Sequence, residues 1–123
     1  MQPTAYIETS VVSYLTSRPS RDVVIAAYQE ITREWWQDAP DRFDLVASAL
    51  VMSEAGAGDP DAARNRLEAL ESVTLLDATS DVESLAIALI VAGAVPRLAA
   101  DDAVHIAIAV TNGHYCPNVS ILT

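Results

Sequence analysis

Thr4-Ala5-Tyr6-Ile7-Glu8 is the stretch on which the reading of this chain turns. It is short, β-prone and mostly apolar until its last residue, which predicts a buried strand ending in an acid. Thr9 and Ser10 follow at once and can cap a short helix running to about Thr16. A strand that passes directly into a helix opens the alternation expected of a parallel sheet. The rest of the chain continues it. Pro19 breaks the first helix, and Ser20 opens a longer one that is expected to end before Pro40. Val23, Ala27, Ile31 and Trp35 lie four apart on that helix as one stripe for burial, with Val24 and Tyr28 beside them.

Asp44 to Ser48 reads as a second buried strand, followed by a helical turn over Leu50 to Ala55 and a Gly56-Ala57-Gly58 loop. Asp59-Pro60 starts a helix to about Leu70, because Asp caps and Pro suits the first helical position. Val73 to Leu76 is a third strand. Ser80-Asp81-Val82-Glu83 is a capping box for a helix that Gly93 ends. The last helix starts near Leu98, with Ala99, Ala103, Ile106 and Val110 as its buried stripe and Gly113 as its stop. Val119 to Thr123 is a candidate final strand. The expected fold class is α/β, a parallel sheet flanked by helices on both faces. The right-handed crossover rule predicts the strand order third, second, first, C-terminal.

The 123 residues suit one domain, 1–123, and 51% are hydrophobic, enough for a core. No apolar run reaches the ~18–20 residues of a membrane span. The N-terminus lacks a signal-peptide pattern. Cys116 is the single cysteine, which excludes an intrachain disulfide and a cysteine-built zinc site and predicts a cytoplasmic location. No glycine-rich loop follows the first strand, which disfavours nucleotide binding of the P-loop or Rossmann type. The net charge is −10, and the seven basic residues are all arginines, scattered along the chain. That balance argues against a basic nucleic-acid face. It suits a basic protein partner, and divalent cations in an acidic site would screen it.

Three acids stand out from the solvated ones. Glu8 ends an apolar strand, Glu54 follows Leu50, Val51 and Met52, and Asp102 lies near the start of a nearly all-apolar helix. Buried carboxylates are costly unless paired, hydrogen-bonded or metal-bound. Oxygen ligands favour a hard cation, Mg²⁺ or Mn²⁺, which acidifies water and stabilises charge on a phosphoryl oxygen. Each acid also has a plainer reading: a solvated strand end for Glu8, an exposed helix position for Glu54, and a first-turn acid meeting the helix dipole for Asp101 and Asp102. For Asp101 the plainer reading is preferred. His105 can ligate a metal or contact RNA, but a supporting or core histidine is the preferred reading. Ser10 can hydrogen-bond a phosphate or serve only as a cap. His114 and Cys116 make no recognisable metal motif.

Tyr6-Ile7-Glu8-Thr9-Ser10-Val11-Val12, Ser48-Ala49-Leu50-Val51-Met52-Ser53-Glu54 and Ala99-Ala100-Asp101-Asp102-Ala103-Val104-His105-Ile106-Ala107 together carry a resemblance. In this order they resemble the three acidic motifs of PIN-domain ribonucleases from bacterial toxin–antitoxin pairs. Glu8 stands where that family more often has Asp. The resemblance implies a PIN-like fold and metal-dependent endonucleolytic hydrolysis of RNA. Glu8, Glu54 and Asp102 would be both metal ligands and catalytic groups, with Ser10, Asp101 and His105 as accessories. It further implies a cognate antitoxin protein and a homodimer. After Gly113 the pattern departs: Ile121-Leu122-Thr123 can be the end of the family's closing strand, but the polar residue and closing segment that complete the family's site have no counterpart unless Asn118 or the terminal carboxylate substitutes. The alternative reading is therefore a catalytically impaired PIN-fold binding module.

Overall fold

β1 (Thr4–Ile7) is buried at all four positions, and β2 (Asp44–Ser48) at every position after Asp44. Alternate residues of a strand face opposite sides of a sheet. Burial of consecutive residues therefore means that both faces of these strands are covered, which is why they read as continuous apolar runs. The computed structural model describes residues 2–76, 80–111 and 119–122. β3 (Thr74–Leu76) and β4 (Val119–Leu122) complete a four-stranded sheet of order β3-β2-β1-β4 with every pairing parallel. This is the order expected from right-handed crossovers. Helices α1 (Thr9–Thr16), α2 (Val23–Arg42), α3 (Ala49–Ala55), α4 (Pro60–Ala69), α5 (Ser80–Val91) and α6 (Ala100–Thr111) flank it, with a 3₁₀ turn at Arg97–Ala99. The fold is α/β. Among the described residues no helix is long and apolar enough to cross a membrane.

Several local signals act as the chemistry of capping requires. Asp59 caps α4 through Ala62 N–H, and Pro60 takes the first helical position. Gly93 follows α5 with φ +76°, a conformation that suits glycine at a helix end. Other ends differ from expectation. Glu8, rather than Thr9 or Ser10, caps α1, because its carboxylate reaches Ser10 N–H. Asp22 caps α2 by accepting from Val24 and Ile25 N–H at 2.9 and 3.1 Å, so the helix starts after Ser20. Pro40 lies inside the last turn of α2. Its missing N–H removes one backbone hydrogen bond there. Phe43 N–H still closes the helix on Ala39 carbonyl at 2.8 Å.

The stripe expected to bury α2 faces outward over most of its length. Val23 is 83% exposed and Ile31 62%, with Val24, Ala27 and Tyr28 exposed beside them. The inward face carries Gln29 and Ala39, with Trp35 and Trp36 partly buried against the core. Gln29 is a buried amide with defined work: it accepts from Ser20 N–H at 2.9 Å and donates to Arg18 carbonyl at 3.0 Å, fastening the segment between α1 and α2. Four-residue spacing identifies an apolar face but not what lies opposite it. On α6 the buried set is Ala103, His105, Ala107, Ile108 and Ala109. Val110 is exposed, and Ala99 and Ile106 are only half-buried. α6 packs against both α5 and β4, so more than one of its faces is covered. Gly113, His114, Cys116, Asn118 and Thr123 lie outside the described residues.

This distribution separates two apolar residues by their expected cost. Ile31→Thr should change stability by less than about 0.5 kcal/mol, as surface substitutions do. Val12→Ala, at a fully buried position, should cost about 2 kcal/mol through lost transfer energy and a cavity. Urea unfolding midpoints compare them directly. An equal loss for Ile31→Thr would show that α2 is covered in solution.

Candidate functional site

The carboxyl ends of β1 and β2 are where ligands of a parallel sheet collect. Three local events place polar groups there. Glu8 leaves β1 and turns back to cap α1. Its Oε2 accepts from Ser10 N–H at 3.1 Å and from the Ser10 hydroxyl. A carboxylate at this position also meets the positive end of the helix dipole. Ser48 ends β2 and caps α3, with its Oγ 3.3 Å from Val51 N–H. α3 then carries Glu54 to the same end, where its Oε1 accepts from the Thr9 hydroxyl at 2.6 Å.

α6 contributes His105, only 2% exposed. Its Nε2 is 2.9 Å from Glu54 Oε1 and 3.9 Å from Glu8 Oε1. On the opposite side of the ring, Nδ1 is 2.7 Å from the Tyr6 hydroxyl. That hydroxyl is also 2.8 Å from Ser48 Oγ. A continuous polar chain thus runs from Ser48 through Tyr6, His105 and Glu54 to Thr9, buried at its first three members and part-buried at the last two. The buried Tyr6 hydroxyl needs such partners. Its pKa is pushed up to about 12, chiefly because burial disfavours the phenolate. The Ser48 hydrogen bond opposes that rise, and the charges of Glu54 and Glu8 reinforce it.

The two carboxylates are arranged alike. In each, one oxygen is tied by donors, Glu8 Oε2 by Ser10 and Glu54 Oε1 by Thr9 and His105. The side chains are 13% and 26% exposed, so neither is sealed from solvent. One ligand atom each from Glu8, Glu54 and His105 lie within 4.8 Å of one another. This donor set fits a divalent cation: two carboxylates supply hard oxygen donors, and their mutual repulsion is relieved by positive charge between them.

Glu8 and Glu54 are therefore brought together as their contexts imply. Asp102 is not one of the three clustered residues: it stands exposed in the first turn of α6, as does Asp101. His105, one turn further along, enters the cluster instead. Ser10 is committed to Glu8, with both its N–H and its hydroxyl. Tyr6, Ser48 and Thr9 were not singled out from sequence. The available signal was a tyrosine inside an otherwise apolar strand, whose hydroxyl demands a buried partner. No protein-family model, curated protein or solved structure matches this chain.

Proposed function

We propose that the chain is a PIN-type, metal-dependent endoribonuclease of the toxin class, using Mg²⁺ or Mn²⁺ to hydrolyse RNA phosphodiesters. The observation that carries this reading is the pairing of Glu8 and Glu54 at the carboxyl ends of two adjacent parallel strands, within 4.8 Å of each other and of His105. Glu8 and Glu54 are the residues that would hold the cation. When bound, a divalent cation acidifies water and stabilises charge on a phosphoryl oxygen. Ser10 and Thr9 fix the carboxylates so that little reorganisation is needed when substrate arrives. Asp102, exposed one turn before His105 and so on much the same side of α6, is retained as the third catalytic acid of this reading, outside the Glu8–Glu54–His105 cluster. The reading extends to a cognate antitoxin protein and a homodimer as partners. With a net charge of −10, RNA affinity should depend on divalent cation rather than on a basic face.

An RNA-cleavage assay titrated with Mn²⁺ tests this. Cleavage should appear with Mn²⁺, disappear with chelator, and fall in Asp102→Asn. Cleavage that persists in chelator, or none at any Mn²⁺ concentration, would remove the proposal.

A further inference from the structure

We infer that His105 is a positioning residue for Glu54, with its Nε2–H turned to Glu54 and its Nδ1 turned to the buried Ser48–Tyr6 hydroxyl pair, and is not itself a cation ligand. Counting hydrogens along the chain leads to this. Glu54 Oε1, a carboxylate oxygen, accepts, so the hydrogen at the 2.9 Å contact belongs to His105 Nε2. In the neutral ring Nδ1 is then an acceptor and needs a donor. The hydroxyl beside it is that of Tyr6, at 2.7 Å. Tyr6 has one hydrogen, and it is spent there. Its oxygen consequently accepts from Ser48 at 2.8 Å, and Ser48 Oγ accepts from Val51 N–H at 3.3 Å. Every hydrogen in this arrangement has an acceptor, consistent with the absence of unpartnered buried side-chain nitrogen or oxygen among the described residues.

The opposite tautomer fails on the same count. A hydrogen on Nδ1 would leave a bare Nε2 facing Glu54 Oε1, two lone pairs at 2.9 Å. It would also turn the Tyr6 hydrogen toward Ser48, whose own hydrogen would then lose its acceptor. Ligation of a cation by Nε2 needs the lone pair that the favoured arrangement lacks. His105 instead clamps one oxygen of Glu54 together with Thr9, and so aims the other. The tautomer stands on hydrogen bonding alone, whereas its consequence for cation binding rests on the proposed function.

The two parts are tested separately. Long-range ¹H–¹⁵N NMR of the metal-free protein, at a pH above the ordinary histidine range, reads which ring nitrogen carries the hydrogen. His105→Gln identifies the signals by their loss. A protonated Nε2 with a bare Nδ1 is expected; a protonated Nδ1 would overturn the inference. Mn²⁺ binding, followed by electron paramagnetic resonance, is then compared in two variants. His105→Gln keeps an N–H that can reach Glu54 and should stay within about threefold of the unaltered chain. His105→Ala should lose about tenfold or more, the usual effect of removing a group that orients a ligand. Equal loss in both would mean that the ring nitrogen itself ligates, and would overturn the inference. If the unaltered chain binds no Mn²⁺, the metal-centre reading fails, and the tautomer alone decides this one.

Discussion

Glu54→Gln is expected to weaken Mn²⁺ binding and metal-dependent RNA cleavage by about a hundredfold or more, with the fold intact. The loss corresponds to ~2.7 kcal/mol. Removing a group that merely orients a ligand costs roughly 10- to 100-fold in affinity, so removing a ligand should reach at least the upper end. The substitution is a clean one because of how Glu54 is held. Its Oε1 accepts from Thr9 at 2.6 Å and from His105 at 2.9 Å, and a glutamine carbonyl can accept from both. The hydrogen bonds lose their charge assistance, about 1 kcal/mol. Repulsion with Glu8 is relieved at the same time, which offsets that loss. Melting should therefore change little while binding collapses. Unaltered cation affinity in a folded Glu54→Gln chain would exclude Glu54 as a ligand and leave the proposed chemistry without its anchor.

The second large effect is on alkaline stability. Tyr6 has a pKa raised by burial from 10.0 to about 12. As pH rises past the ordinary value, the unfolded chain loses this proton first, so the unfolded state gains stability relative to the folded one. The protection given by burial of the neutral phenol is thus fully present below the ordinary value and is lost as pH climbs through the folded value. Two pH units correspond to roughly 2–3 kcal/mol. The chain contains no lysine, so no amine side chain titrates across the same window. Tyr6→Phe supplies the control, since the remaining tyrosines are common to both chains. Near neutrality it should be less stable by about 1–3 kcal/mol, because His105 Nδ1 and Ser48 lose their buried partner. Across the alkaline window the two stabilities should converge. Urea unfolding at stepped pH measures the gap, and a gap that stays constant would show that Tyr6 ionises with its ordinary affinity.

The sheet was legible because its instructions are local. Residues 5–7 and 45–47 are apolar runs, each leading within two residues into a helix, and right-handed crossovers between parallel strands permit few orders. Glu8 and Glu54 were legible for the same reason. Each sits at a fixed offset beyond a strand end, so the order β3-β2-β1-β4 with β1 beside β2 necessarily brings them to one rim.

Tertiary structure alone decided what else stands at that rim. Asp102 and His105 lie on much the same side of α6, and periodicity does not separate them. They differ by ~4.5 Å along the helix axis, and the seating of α6 against α5 and β4, with His105 reaching Tyr6 of β1, puts the imidazole, not the carboxylate, against Glu54. The partners of Tyr6 are 42 and 99 residues away in sequence, and no local pattern encodes such contacts. The stripe on α2 marks the same boundary. Val23, Ala27 and Ile31 fix which residues share a face, since that follows from 3.6 residues per turn. The rotation of α2 about its own axis is set by what packs against it: buried Gln29 and Ala39 and partly buried Trp35 and Trp36 turned inward, leaving that face to solvent.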